Sequence, residues 1–342
     1  MINIKTNSLP TFNELVDFIT EMPKIDQDAV NMAKDRDKRL LKPPGSLGKL
    51  EEIVLWAAGW QGTYPPKIDN ISVAIFVSNH GTAINHRISP YPTAVTGQLL
   101  KSWRSESAVI NQICKTHNIG LQVFDLAVEE PTQDITIAPA MTSKDCITTI
   151  LYGREAIASN PDIICLGEGG IGNTTIASAI CAALYGGDLK DWVGPGTGAD
   201  QNMIKKKIEV IEKSLNFHKS RLPLEVLRCF GGREFAGIVG AILAARFERV
   251  PVILDGFPVC AAAAILNEIL PSSLDHCYVA HKSREPGHKK LLQKLGKKPL
   301  LDLQMSLGEG SGAALAVPLI TSAINIHNNT STFQDAEVQD RE

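Results

Sequence analysis

The sequence carries little net charge: 34 Lys and Arg against 37 Asp and Glu leave −3 over 342 residues. A field that weak draws in neither nucleic acid nor an anionic membrane, so neither is expected as a partner. Long apolar runs are missing too. Val259–Leu266, "VCAAAAIL", is too short to cross a bilayer and reads as a buried helix. The seven cysteines (Cys114, Cys146, Cys165, Cys181, Cys229, Cys260 and Cys277) form no CxxC pair. An odd count placed mostly in apolar runs reads as reduced, structural thiols of a cytoplasmic protein. The opening "MINIKTNSLPTFNELVDF" has no basic stretch leading into an apolar one, so no secretory leader is expected. There is no internal repeat. What remains is ordinary globular usage, 44% hydrophobic and 21% charged, in a chain long enough for one large α/β domain and a small lobe.

Apolar residues recur at helical spacing through residues 10–60, in "FNELVDFI" and "AVNMAKDRDKRLL". "KPPGSLGKLEE" interrupts them. Pro43 and Pro44 forbid a continuous helix, and Ser46 is expected to cap the next one. From about residue 70 short β-rich segments alternate with helical patterns: "ISVAIFVS" (71–78), "LQVFDLA" (121–127), "DIICLG" (162–167), "VPVILDG" (250–256) and "HCYVA" (276–280). Near-continuous apolar strands of this kind are buried on both faces, which predicts a mostly parallel sheet covered by helices. Ligands of such sheets sit at the carboxyl ends of the strands. "SNHG", "GEGGIGNTT" and "DGF" follow strands and become candidate site loops. The polar ending, 326–342, is expected to be disordered.

"DIICLGEGGIGNTTIASAI" reads as strand, glycine-rich turn and helix. Gly167, Gly169, Gly170 and Gly172 bring backbone N–H groups together, and Asn173, Thr174 and Thr175 can cap the helix. A phosphate or carboxylate is the natural occupant of such a helix N-terminus. Gly167, Gly169 and Gly172 also fit GxGxxG, but a dinucleotide fold needs an acid at the end of the next strand, and "ALYGGDLKDWVGPG" is no strand. No Walker pattern occurs. "GPGTGADQNMIKKKIEVI" repeats the loop theme with Gly194, Gly196 and Gly198 ahead of Lys205, Lys206 and Lys207. Three adjacent lysines usually form a solvated face, and at most one or two could reach one ligand. His80, His86, His281 and His288 fit no zinc spacing, so they read as capping or hydrogen-bonding residues and no metal is expected. Glu309 stands in "SLGEGSGAALA", between glycines at the front of an apolar helix. By itself it is as well explained as a helix cap as it is as a catalytic group.

Read in order, "LKPPGSLGKLEE", "LGEGGIGNTTIASAI", "GPGTGADQ", "PVILDGF" and "LGEGSGAALAVP" resemble the nicotinate-nucleotide–dimethylbenzimidazole phosphoribosyltransferases, over about residues 10–325. That family activates the lower-ligand base of cobalamin. The resemblance implies a three-layer α/β/α fold with a small lobe of chain-terminal helices, placing residues 1–68 partly in that lobe and 69–325 in the catalytic domain. It implies a homodimer, no cofactor, and two small-molecule substrates: nicotinate mononucleotide and a benzimidazole-type base. Glu309 corresponds to the family's catalytic base. Gly167, Glu168, Gly170, Gly172, Asn173 and Thr174 belong to the mononucleotide loop, and Lys207 matches the phosphate lysine. Ser78, Asn79 and His80 fall near the base pocket, with Leu307 in an apolar slot for the base. Asn79 stands where the family usually has an acid. Ala127 and Ala138 replace glycines, "SESAVIN" replaces GGAAIN, and Arg233 replaces an apolar residue. These departures touch the choice of base more than the reaction. They also leave room for a second reading, a nucleotide sensor that keeps the loops without turnover.

Overall fold

A computed structural model describes residues 9–340. Three helices come first: α1 (Phe12–Thr20), α2 (Gln27–Asp37) and α3 (Lys49–Gln61). Strand β1 (Ile71–Val77) is followed by α4 (Gly81–Asn85), α5 (Ala94–Arg104) and α6 (Val109–His117). Then come β2 (Gly120–Asp125), α7 (Ser143–Tyr152), β3 (Ile163–Gly169), α8 (Asn173–Tyr185), α9 (Gln201–Phe217), α10 (Pro223–Phe230) and α11 (Arg233–Phe247). The chain finishes with β4 (Val252–Leu254), α12 (Phe257–Ile269), β5 (Cys277–His281), α13 (Pro286–Lys294), β6 (Pro299–Leu301) and α14 (Ser311–Asn329). All five strand pairings are parallel, in the order β2-β1-β3-β4-β5-β6. The five expected strands are present. The sixth, β6, lies at the sheet edge and is only three residues long; it begins with Pro299, a residue tolerated at the first position of an edge strand.

The strands alternate between two cores, as a period of two demands. Ala74, Phe76, Ile164, Leu166, Val252 and Leu254 face one hydrophobic cluster, with α8, α10, α11 and α12. Val73, Ile75, Val77, Ile163, Cys165 and Ile253 face the other, with α2, α3, α5, α6 and α14. Helices therefore cover both faces of the sheet. The first helices divide between the faces: Leu15 and Ile19 of α1 join the first cluster, and α2 and α3 join the second beside α14. Because β1 and β3 are neighbours while β2 lies outside β1, strand order reverses between β1 and β3. Such a reversal sets the crevice of the fold at the carboxyl ends of the two strands, the place where sheets of this kind bind ligands.

Two local expectations are corrected. Ser46 does not cap α3: the N-cap is Gly48, at φ 52°, with no side-chain bond. The ending is not disordered over its described part. Helix α14 runs to Asn329, and Arg36 on α2 donates to the carbonyls of His327, Asn328 and Thr330. Beyond it, Leu41 N–H donates to Ser331 and Phe333 N–H to Arg39. Polar composition favours disorder only where no distant group satisfies the backbone, and here α2 and the segment after it do so.

Helix α11 crosses α7 so closely that a Cβ on Gly240 would lie 1.7 Å from the Ile150 carbonyl oxygen, a backbone atom with no freedom to swing aside. Gly240→Ala is expected to destabilise the fold by about 1–3 kcal/mol through overpacking. Urea unfolding checks this, and an unchanged midpoint would show that the two helices separate freely.

Candidate active site

The crevice is built around the end of β3. Gly167 lies directly under the turn that opens α14: a Cβ there would sit 2.4 Å from Gly310 N and 2.7 Å from the Glu309 carbonyl carbon. Glu309 N–H donates to the Glu168 carbonyl at 3.2 Å. The turn places Glu309 at φ 68° and Gly310 at φ 80°, both left-handed. That conformation is easy for glycine and costs about 1–2 kcal/mol for any other residue, so the turn must be held from outside.

Asp255 holds it. This fully buried carboxylate, just past β4, accepts Gly310 N–H at 3.1 Å and Ala313 N–H at 2.9 Å. The capping that the sequence left open for Glu309 is therefore done by Asp255. Asp255 Oδ1 also lies 3.6 Å from His281 Nε2, and both side chains are buried. Burial raises the Asp255 pKa, and His281 and the α14 amides oppose the rise.

Freed from capping, the half-buried Glu309 keeps Oε2 buried and without a hydrogen-bond partner. Burial raises its pKa first of all, and the Asp255 charge adds to that; the Trp103 indole and the Ile110 backbone N–H pull the other way. Glu168 differs. Wholly buried, and near Asp255, Glu234 and Glu309, its pKa is pushed up to about 8, although Asn173 Nδ2 donates to Oε2. At neutral pH Glu168 is mainly a neutral acid.

At the end of β1, Ser78 N–H donates to the Gly169 carbonyl and ties the two strands together. His80 and Glu234 have fully buried side chains, with Nε2 2.7 Å from Oε1, although the N–H direction is poorly aligned on that oxygen. Ser78 Oγ donates to Glu234 Oε2. This trio forms a floor beneath Gly170, where a Cβ would lie 2.7 Å from the Ser78 carbonyl oxygen. The Asn79 amide donates to the Val128 carbonyl at 3.0 Å and so holds the segment after β2, while its Oδ1 is buried without a partner. Leu307 is on the rim, 41% exposed.

The far end of the crevice suits an anion. Gly172, at φ 92°, opens α8, whose first residues are Asn173 and Thr174. Of the three adjacent lysines, Lys205 and Lys206 are exposed and Lys207 is buried. Lys207 Nζ reaches the Gly194 carbonyl at 3.0 Å and Thr174 Oγ1 at 3.5 Å, joining the two glycine loops. Burial lowers its pKa, and Glu285 partly restores it. Glu285 Oε1 accepts Gly196 N–H at 2.8 Å.

The structure thus brings Glu309, Glu168, Gly167, Gly170, Gly172, Asn173, Thr174, Lys207, Ser78 and His80 to one crevice. Asn79 is buried between Ser78 and His80. Asp255, Glu234, Glu285 and Trp103 were not anticipated. The available signal was an acid inside an otherwise apolar context, as in "ILDGF" and "GGREFAGIVGAILA". An apolar cavity of about 790 Å³, lined by Phe18, Leu151, Tyr152 and Phe247, also touches Asn160 and Val250, which precede β3 and β4. It lies at the opposite strand ends and shares none of these residues.

Known proteins agree on one family. A phosphoribosyltransferase family model matches residues 22–338. The nicotinate-nucleotide–dimethylbenzimidazole phosphoribosyltransferase of Allorhizobium ampelinum is 51% identical over 329 residues, covering 96% of this chain and 96% of that protein. The protein of the same name from Rhizobium meliloti is 48% identical over 341 residues, covering 99% and 100%. Among solved structures, CobT from Thermus thermophilus matches with a TM-score of 0.86 at 35% identity, covering 92% of this chain and 100% of its own.

The state of Glu168 gives a signed stability prediction. Its folded pKa, about 8, exceeds the ordinary value of 4.5, so between these values the folded state binds more protons than the unfolded one. Its contribution is fullest at low pH and is lost as pH rises through that window. Glu168→Gln removes the titration. Relative to the parent, the variant should gain stability steadily from about pH 5 to pH 8, on the order of a few kcal/mol in total. Urea unfolding across pH reads the difference; a pH-independent difference would show that Glu168 is ionised in the fold.

Proposed function

The chain belongs to the nicotinate-nucleotide–dimethylbenzimidazole phosphoribosyltransferase family, pentosyltransferases of cobalamin lower-ligand assembly, and we propose that it performs this transfer with Glu309 as its catalytic base. Nicotinate mononucleotide and dimethylbenzimidazole, or a related base, give α-ribazole 5′-phosphate and nicotinate. The observation that carries the assignment to Glu309 is the division of labour at α14. Asp255 satisfies the helix amides, and Glu309 presents a buried, unpartnered carboxylate oxygen beside the glycine loop.

The chemistry needs one base. The ring nitrogen that joins nicotinate to the ribose is a pyridinium, so the breaking C1′–N bond returns its electrons to that cation and nicotinate leaves without a proton. The incoming benzimidazole attacks C1′ with one ring nitrogen. Its other nitrogen must then lose a proton, or the product stays cationic. An ionised Glu309 at that N–H orients the base, offsets the growing positive charge and takes the proton. Attack opposite the departing nicotinate converts a β-linked substrate into an α-linked product. Holding both partners in line contributes roughly 7–11 kcal/mol in favourable cases.

The phosphate is assigned to the start of α8 and to Lys207, where helix amides and a buried ammonium meet. Leu307 and Gly308 supply the apolar edge for the flat base. A neutral Glu168 avoids a second negative charge beside Glu309 and leaves a proton to donate. The sensor reading finds no support in this arrangement, since a sensor has no use for a strained, uncapped carboxylate. We further propose a homodimer working in the cytoplasm. The family resemblance supports the dimer. For the location, no described helix is long and apolar enough to cross a membrane, and all seven cysteines are buried and free.

Glu309→Gln is expected to fold, to bind nicotinate mononucleotide in a calorimetric titration, and to lose about 10²–10⁴-fold in turnover. Full turnover in this variant would remove Glu309 from the mechanism. Sedimentation equilibrium should give twice the chain mass, and a single chain mass would contradict the dimer.

A further inference from the structure

The assignment of the phosphate leaves open what aims Lys207. The loop 194–198 lies against its ammonium, and two of the loop glycines are left-handed, Gly196 at φ 54° and Gly198 at φ 106°. Glycine backbone has many accessible conformations, so one of them must be held from outside. Two side chains do this. Lys207 Nζ donates to the Gly194 carbonyl at 3.0 Å, and Glu285 Oε1 accepts Gly196 N–H at 2.8 Å. The fit leaves little slack. A Cβ on Gly194 would lie 2.5 Å from Glu285 Oε2 and 2.5 Å from Pro286 Cδ. One on Gly196 would lie 2.8 Å from Thr174 Oγ1 and 3.3 Å from Lys207 Nζ. Glu285 is itself fixed. It stands at the start of α13, 5% exposed, where its N–H donates to Ser283 Oγ at 3.3 Å and its carbonyl accepts His288 N–H at 3.0 Å. Ser283 N–H in turn donates to Nδ1 of the fully buried His288 at 3.0 Å.

Resting on the assignment of the phosphate to Lys207 and the start of α8, we propose that Glu285 is a positioning residue for the mononucleotide: through Gly196 N–H it holds the loop 194–198 in the conformation that keeps the Lys207 ammonium beside Thr174. An ammonium has three N–H donors. The Gly194 carbonyl takes one from Lys207, and Thr174 Oγ1 lies at 3.5 Å, at the long end of hydrogen bonding. A loop released from Glu285 would carry the Gly194 carbonyl away and the ammonium with it. Glu285 Oε1 is engaged by the loop, and Oε2 is buried against Gly194 without a partner. Glu285 therefore acts on the nucleotide through the loop. A carboxyl oxygen accepts this bond whether the acid is ionised or neutral, so an amide oxygen in the same place would serve.

Glu285→Met tests this, since methionine keeps the length of the side chain and removes both oxygens; Glu285→Ala gives the same reading should methionine not pack. The KM for nicotinate mononucleotide should rise about 10-fold or more, the size expected for one lost bond to a carboxyl group. The dissociation constant for inorganic phosphate, read by calorimetric titration, should rise with it. At saturating nucleotide, kcat and the KM for dimethylbenzimidazole should stay within about 2-fold. Glu285→Gln keeps the acceptor for Gly196 N–H and should return both nucleotide constants to within about 3-fold of the parent. A general packing defect would instead lower the thermal midpoint and impair both substrates and kcat together, which contradicts the proposal. So would an unchanged KM for the nucleotide in Glu285→Met, or a glutamine variant as impaired as the methionine one. Lys207→Met separates this role from the reading beneath it: phosphate binding undiminished in that variant would remove the phosphate assignment itself, whereas its loss there, with Glu285→Met unaffected, would overturn the positioning role alone.

Discussion

Two hydrogen bonds from backbone amides to Asp255 determine what this crevice is. They fasten the start of α14 to the end of β4, over a glycine at the end of β3 that has no side chain to block the approach. Charge-assisted bonds of this kind are worth about 1.5–3 kcal/mol each. The left-handed Glu309 they support costs about 1–2 kcal/mol. The bonds therefore exceed the strain, and the turn persists with a non-glycine residue at its apex.

The electrostatics follow from the same crowding. Glu168, Glu234, Asp255 and Glu309 converge at the ends of β1, β3 and β4, and a low-dielectric interior does not hold four nearby negative charges. Each has a different neighbour. Glu234 faces His80, Asp255 takes two amides and lies near His281, and Glu168 keeps its proton up to about pH 8. Burial and the Asp255 charge raise the Glu309 pKa, and the Trp103 and Ile110 N–H groups oppose the rise. At the other end of the crevice, Lys207 is held between two glycine loops with Glu285 as its distant counter-charge.

Much of this could be read from the residues. Strands buried on both faces announced a covered parallel sheet, and the spacing of glycines with Asn173 and Thr174 announced a helix start after Gly172. Adjacent lysines point in different directions on a helix, and only Lys207 turns inward. Long-range contacts were not legible. Nothing local distinguishes Glu309 as a cap from Glu309 as a base, because the competing cap, Asp255, lies far upstream, just past another strand. The ending looked disordered because its hydrogen-bond donor, Arg36, sits at the other end of the chain. Ser46 had the composition of a cap, but Gly48 accepts a backbone angle that serine avoids. The bond from the Asn79 amide to the Val128 carbonyl was likewise not legible, because Val128 follows a different strand.

Glu309, released by Asp255, is the group that should meet the acceptor base. A crystal structure of the enzyme with α-ribazole 5′-phosphate and nicotinate tests this most directly. The expected result is a Glu309 carboxylate oxygen about 3 Å from the benzimidazole nitrogen that is not bonded to the ribose, with Asp255 still on the α14 amides. A Glu309 turned onto those amides, or away from the bound base into solvent, would contradict it.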